Sequence, residues 1–387
     1  MILSCAGRAA RRLGQLIEIA APRYLVIQEG VIMFRTLEVW WLVLTQIGNA
    51  MRLSRQVDGI FRYFILETLR NEQFFDYLKE PRTYPQVLAE FGYVDSGYTT
   101  YLFDVLTSDK PNILYKENGR YQFNADAPLP QLDQVITKTN KQVHNFILMA
   151  QGMAGYLVPR LRDEPVEFTD SFEADGRQLL SKFDQTIGSD IYSNLRRASF
   201  AYLGDAALGR LRGGRVLEVG CGSGHSTAEL WLKLGGEARI DGIDPVKGML
   251  ELAEQYFGSL LNELDPSHPP LTDANRPRFQ EAGATDLPFE DNSFDAVWSP
   301  FVLHWTPDPE KAVREALRVL KPGGLIFGLQ PIKPLANPYF DLIVRANGES
   351  YGFFWAEDLR RWYANHGVNI HHTTPITIFK GVKPSMP

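Results

Sequence analysis

Residues Arg215 to Gly224 read RVLEVGCGSG, an apolar run of strand character that passes directly into three glycines at alternate positions. Glycine has no Cβ, so Gly220, Gly222 and Gly224 let the backbone turn sharply and come close to a bound molecule. The dinucleotide template GxGxxG asks for glycine where His225 stands, and the loop fails it. An amphipathic segment follows from Ser226. The same alternation continues downstream: ARIDGID before MLELAEQYF, FDAVWS before PEKAVREALRVL, then LIFGLQ. Short apolar runs alternating with amphipathic helices predict an α/β fold, with a mainly parallel sheet covered on both faces.

Glu218-x-Gly220-x-Gly222-x-Gly224 resembles the first motif of the class I S-adenosylmethionine-dependent methyltransferases. Its companion is Asp244, twenty residues beyond Gly224 at the end of ARIDGID. The stretch ATDLPFEDNSFDAVWSPFVLHWTPDPEKAVREALRVLKPGG, Ala284 to Gly324, resembles the later motifs of the same superfamily. Together they cover the chain from about Leu211 to Ile332 in order. The resemblance implies a Rossmann-like domain over residues 211–387, with a seven-stranded, mainly parallel sheet whose last strand is antiparallel. It also implies S-adenosylmethionine as cofactor, without a metal. Glu218 would hold the methionine end, and the loop residues Gly220, Cys221, Gly222 and Gly224 would surround it. Asp244 would accept the ribose hydroxyls, a role compatible with capping a helix that begins at Pro245. Met249 would pack near the adenine, and Pro245 and Ser299 would also border the cofactor. In one place the sequence departs from its relatives. Many carry Asp-Ala four positions before LPF to bind the adenine amino group, and here that pair is Gly283-Ala284. The backbone of Ala284 would then meet the adenine, with Thr285 and Asp286 as candidate substitutes for the missing carboxylate.

Methyl transfer from a sulfonium is an in-line displacement with an activated donor. The protein must position the acceptor, exclude water and, for a hydroxyl acceptor, remove a proton. His304 in VLHWTPDPE, just past FDAVWS at the C-terminal edge of the sheet, is the candidate base. The segment is similar to the LHDW-type segment of O-methyltransferases that join a winged-helix dimerisation domain to this fold, where the histidine is the general base. Asp308 or Glu357 would be its acidic partner. The opposing reading makes His304 a structural element behind the cofactor. His225 reads as a packing or capping residue, Cys221 as a small loop residue, and Asp295 as structural. The pair His371-His372 lacks the cysteines or HxxxH spacing of a metal site. Trp298, Trp305, Tyr339, Tyr351, Phe353, Phe354, Trp355 and Trp362 read mostly as core. The rest would wall an apolar acceptor cavity together with helices between Val135 and Tyr202.

Upstream, Ile60, Phe61, Phe64, Ile65 and Leu69 recur at helical spacing, and TYPQVLAEFGY reads as a short helix closed near Gly92. Asp95 or Ser96 caps a third helix through Leu106, and Asn118-Gly119 signals a hairpin in ILYKENGRYQFN. Helix, short helix, helix and hairpin predict a winged-helix-like unit over residues 58–125. That span carries seven basic against ten acidic residues, and its third helix, SGYTTYLFDVLTSD, has no Arg or Lys. The expectation is therefore dimerisation rather than nucleic-acid binding. Residues 126–210 read as a linker, ADAPLPQLDQ, followed by helices over Val135–Leu161 and Gly176–Leu211 that flank an acidic loop, RDEPVEFTDSFEAD. Residues 1–57 read as an apolar helical segment. Its longest uncharged run, Val39 to Met51, falls short of the ~20 residues of a bilayer span, so peripheral association is the furthest membrane role expected. Arg8, Arg11 and Arg12 precede a stretch broken by Glu18 and Arg23, which reads as a packed helix rather than a targeting segment.

With 44% hydrophobic and 22% charged residues in 387, the chain has the composition of folded domains. A net charge of −6 gives no general attraction for nucleic acid or an anionic membrane. Only Cys5 and Cys221 are present, which excludes a disulfide scaffold and makes a reducing cytoplasm the simplest setting. Combined with the resemblance, the expected activity is methyl transfer to a small-molecule acceptor by a cytoplasmic homodimer, with a hydroxyl of an aromatic or apolar metabolite as the leading target. The alternatives are C-methylation of a quinone or lipid precursor, and a non-catalytic cofactor-binding regulator or scaffold.

Overall fold

The computed structural model describes residues 59–135, 141–173, 178–333, 337–348, 350–373 and 377–385. The N-terminal segment 1–57, with the helical reading and peripheral membrane role considered for it, lies outside the described residues.

The first described unit follows its local signals closely. A helix over residues 59–71 leads to a second, Phe74–Tyr77, and a two-residue strand, β1 (Arg82–Thr83). The backbone N–H of Thr83 donates to the Gln86 side chain at 2.9 Å, opening helix Tyr84–Phe91, and Gly92 closes it at φ 65°. Ser96 caps helix Gly97–Ser108 by accepting from the Thr99 N–H at 3.2 Å. Strands β2 (Leu114–Glu117) and β3 (Arg120–Phe123) turn through Asn118 and Gly119, both at positive φ, as a two-residue hairpin requires. The three strands pair in the order β1-β3-β2. Helix Gly97–Ser108 buries Tyr98, Leu102, Phe103, Val105 and Leu106, and the Tyr98 hydroxyl donates to the Leu342 carbonyl at 2.9 Å. That contact brings in helix Pro338–Ala346, and one apolar core joins Tyr339, Leu342 and Ile343 to the N-terminal unit.

The middle of the chain is more broken than its sequence predicts. The helix expected over Val135–Leu161 is seen as Lys141–Ala154 and Leu157–Leu161. The one expected over Gly176–Leu211 divides into Gln178–Ile187, Asp190–Leu203 and Asp205–Leu211, with Gly204 at φ 86° making one of the breaks. The stretch read as an acidic loop contains a helix, Phe168–Glu173. Phe172 explains it: this side chain is buried with Leu179, Leu180, Val246 and Met249, an apolar anchor that outweighs the polar composition around it.

The C-terminal half has seven strands: β4 (Arg215–Val219), β5 (Arg239–Asp244), β6 (Arg278–Glu281), β7 (Phe294–Pro300), β8 (Leu320–Gln330), β9 (Ile370–His372) and β10 (Thr377–Val382). Their order is β6-β5-β4-β7-β8-β10-β9, parallel except for β10, which runs antiparallel to both neighbours. This is the α/β, Rossmann-like sheet expected. Helices Pro309–Val319 and Ala356–Asn365 cover the face that bears Leu217, Val219 and Val297. Helices Asp190–Leu203, His225–Lys233 and Lys247–Leu264 cover the face that bears Val216, Ala296 and Trp298. From β4 the chain winds outward to β5 and β6, then crosses back to β7 on the other side. The C-terminal ends of β4 and β7 therefore flank the switch point at which ligands bind in sheets of this kind.

Candidate active site

At the end of β4 the glycine loop meets the requirements its sequence sets. Gly220, Gly222 and Gly224 have φ of 71°, 52° and 87°, a region L side chains rarely adopt. Space is short as well: a Cβ on Gly220 would lie 2.4 Å from Val302 Cγ2, and one on Gly222 3.1 Å from Ile187 Cδ1. The N–H groups of Gly220 and Cys221 donate to the Ile243 carbonyl at 2.8 and 2.9 Å, tying the loop to β5. Cys221 is buried beneath it, and burial pushes its thiol pKa well up, against any nucleophilic role.

Glu218 is fully buried in β4. Its Oε2 accepts from the Thr227 hydroxyl at 2.6 Å, while Oε1 has no partner among the described residues. Desolvation lifts its pKa to about 7, although Ser226, Thr227 and Arg196 pull the other way. A buried carboxylate oxygen without a donor is costly in isolation, and it fits a ligand that brings an ammonium group. The methionine end of S-adenosylmethionine carries one.

Asp244 ends β5, one carboxylate oxygen accepting from the Gly222 N–H at 3.0 Å and the other from the Val246 N–H at 2.9 Å. Burial raises its pKa to about 6 despite both bonds. The helix it precedes begins at Lys247, two residues later than Pro245, so Asp244 braces the turn into that helix and the glycine loop together. Pro245 is exposed beside it and Met249 is buried. In the adenine region Gly283 and Asp286 are exposed, while Ala284 and Thr285 are partly buried. Ser299 is buried with its hydroxyl unpartnered among the described residues. Strand alternation turns it toward the face of Val297, whereas Glu218, registered opposite Trp298, points to the other face. These two residues are not brought together.

His304 lies in a 3-10 turn, Leu303–Trp305, immediately after β7, and is 4% exposed. Its ring stacks on Phe353, centroids 5.2 Å apart, and tilts against Trp305 at 5.0 Å. Desolvation drives its pKa down to about 3, only partly offset by a hydrogen bond with the Gln330 side chain, and Nδ1 has no partner among the described residues. Neither expected acid meets it. Asp308 caps helix Pro309–Val319 by accepting from the Lys311 N–H at 2.9 Å, and Glu357 pairs with Arg360 at 3.0 Å. Asp295 is structural as expected, accepting from the Arg215 N–H and from Lys321 Nζ at 2.8 and 2.7 Å. Among the aromatics, Trp298, Tyr339, Phe354 and Trp362 belong to the cores, and Tyr351 and Trp355 are exposed.

Sequence reading set the helices between Val135 and Tyr202 around an acceptor cavity, and did not place helix Gln178–Ile187 against the glycine loop. Leu180 reaches Gly248, Phe183 stands edge-on to Trp305 at 6.1 Å, Asp184 bonds to Ser223 and His225, and Ile187 abuts Gly222. These residues recur at helical spacing, a signal that could have marked one face of the helix but not what it faces. Among the described residues no cluster of three His, Cys, Asp or Glu is arranged to hold a metal, and no helix is long and apolar enough to cross a membrane.

A family model described as a methyltransferase domain matches residues 217–328, which span β4 to β8. The demethylmenaquinone methyltransferase of Clavibacter sepedonicus is 36% identical over 207 residues, covering 46% of this chain and 77% of its own length. The protein of the same name from Staphylococcus epidermidis is 32% identical over 149 residues, and there the match covers 38% of this chain and 56% of the relative. Among solved structures, the CurJ carbon methyltransferase superposes with a TM-score of 0.63 at 15% identity, covering 92% of this chain and 98% of its own. At that identity the likeness is one of fold. With the glycine loop, the buried Glu218 and the Asp244 brace in their places, the chain belongs to the class I S-adenosylmethionine-dependent methyltransferases.

Proposed function

We propose that the protein methylates a carbon atom of a small, apolar, quinone-type acceptor. S-adenosylmethionine supplies a methyl group already activated on a sulfonium. The observation that carries this reading is the state of His304, a buried imidazole with a pKa of about 3 that neither Asp308 nor Glu357 meets. A phenol titrates near pH 10, so handing its proton to such a base is uphill by about seven pK units, or roughly 10 kcal/mol. His304 is a poor partner for a hydroxyl acceptor.

A ring carbon activated by a neighbouring oxygen demands less. The new C–C bond forms as the C–S bond breaks, and the proton then leaving that carbon is strongly acidic while aromaticity is interrupted. A weak base or water accepts it. Half-buried Trp305 and Phe183 flank the His304 turn with flat apolar rings suited to a planar acceptor, and buried Phe353 packs on the imidazole behind them. The relatives named demethylmenaquinone methyltransferases favour the same class of acceptor.

The test incubates the protein with methyl-labelled cofactor and a reduced demethylated naphthoquinone, in parallel with catechol. The expected product carries the label on a ring carbon, and His304→Gln keeps most of the turnover. An O-methyl product, with turnover reduced 10²-fold or more in the same variant, would identify His304 as a general base and overturn the proposal.

A further inference from the structure

We infer that Asp184 is a positioning residue for the cofactor: through Ser223 and His225 it fastens helix Gln178–Ile187 over the glycine loop as a roof. Leu180, Phe183, Asp184 and Ile187 stand three, four and seven positions apart along one helix face. Each meets the cofactor half of the molecule. Two of them occupy room left by glycine: a Cβ on Gly248 would lie 2.5 Å from Leu180 Cδ1, and one on Gly222 3.1 Å from Ile187 Cδ1. Phe183 reaches Trp305, beside His304. Asp184 is the one polar member of the face. Its Oδ1 accepts from the Ser223 hydroxyl and lies 3.1 Å from His225 Nε2.

The roof has a second fastening one turn further on. Arg196 Nη1 donates to the Ile187 carbonyl at 2.8 Å, while its Nε and Nη2 grip both oxygens of Glu229 at 3.0 and 2.9 Å, the pair being buried. His225 and Glu229 lie four residues apart on helix His225–Lys233, so both fastenings grasp the same side of the helix that opens from the glycine loop. The loop is consequently held from two directions. Asp244 takes the N–H of Gly222, and Asp184 takes the side chain of Ser223 next to it. Burial opposes ionisation of Asp184, but the bonds from His225 and Ser223 prevail and keep its pKa below the ordinary carboxylate range.

The assignment depends on the cofactor and not on the identity of the acceptor. The test measures S-adenosylhomocysteine by calorimetry and its dissociation rate by stopped flow, for the wild type, Asp184→Ala, Ser223→Ala with His225→Gln, and the combination of all three. Loss of the fastening should raise Kd about ten-fold, chiefly through faster release. The combined variant should be little worse than either parent, because both remove one contact. Asp184→Asn, which keeps an acceptor oxygen, should recover much of the affinity. Should Asp184→Ala fail to fold, Asp184→Asn and the loop-side pair carry the comparison. Unchanged Kd and release in folded variants, even with a lowered melting temperature, would reduce Asp184 to a structural helix cap and overturn the inference. Additive effects on Kd would overturn it equally.

Discussion

Replacing Glu218 by glutamine should make the protein without cofactor more stable, and the gain should grow with pH. Burial lifts this carboxyl from the ordinary 4.5 to about 7, whereas in the unfolded chain it titrates near its ordinary value. Between those two values the folded chain keeps a proton that the unfolded chain has released, so stability falls as pH rises. The loss is complete above the folded pKa and amounts to about 3 kcal/mol, from a shift of two to three units at 1.36 kcal/mol each. Glutamine keeps an oxygen for the Thr227 hydroxyl and carries no charge at any pH. The variant's advantage should therefore be under about 1 kcal/mol at pH 5 and about 3 kcal/mol at pH 8. Urea unfolding of both proteins at both pH values reads this directly, since every other titrating group cancels in the difference. At pH 8 the same variant should bind S-adenosylhomocysteine ten- to a hundred-fold more weakly, having lost a charge-assisted bond to the ammonium group. An advantage that does not change with pH, or a variant less stable at pH 8, would refute the reading of Glu218 as a desolvated carboxyl awaiting a cation.

A Cβ on Gly283 would meet nothing within 4 Å, so Gly283→Asp should fold normally and, by supplying the carboxylate that the resemblance implies for this position, tighten S-adenosylhomocysteine binding about five-fold by calorimetry. Unchanged binding would mean that the adenine lies out of its reach. Gly220→Ala combines a φ of 71° with an approach of 2.4 Å to Val302 and should lower stability by about 2–4 kcal/mol. Adding Val302→Ala should restore part of the urea midpoint by relieving the contact and leaving the backbone strain, and no recovery would show that crowding is not the cause.

What the sequence made legible was what short-range physics decides. RVLEV followed by three glycines has few ways to fold other than strand and tight turn, because the positive φ values belong to the residues themselves. Asp244 was readable because the end of the second strand must come beside the first loop in a parallel α/β pair. The hairpin at Asn118-Gly119 and the Ser96 cap were equally local. Strand β6, RFQE, was missed because it lies at the sheet edge with little buried surface and no alternation to mark it. The acid expected beside His304 failed for another reason. Asp308 precedes Pro309 and a lysine three residues on, so its sequence was already that of a helix cap, and the nearer partner prevailed. The packing of helix Gln178–Ile187 was not legible: the sequence placed a helix there, but only tertiary contacts decide that buried Leu180 and half-buried Phe183 and Ile187 meet Gly248, Trp305 and the glycine loop.

The three buried ionisable groups of the site have a common logic. Glu218 and Asp244 are raised to about 7 and about 6, and His304 is lowered to about 3, so burial pushes each of them toward its neutral form. The cofactor brings two positive centres, an ammonium and a sulfonium. An ammonium placed beside Glu218 would restore its charge and give Oε1 a donor, turning the cost of a buried, under-partnered carboxyl into binding energy. A cation brought near His304 would act in the opposite sense, lowering its pKa further and keeping the imidazole uncharged. Under the proposed function, such a site would favour a positively charged donor at its acids and leave an apolar, neutral acceptor side near half-buried Trp305 and Phe183.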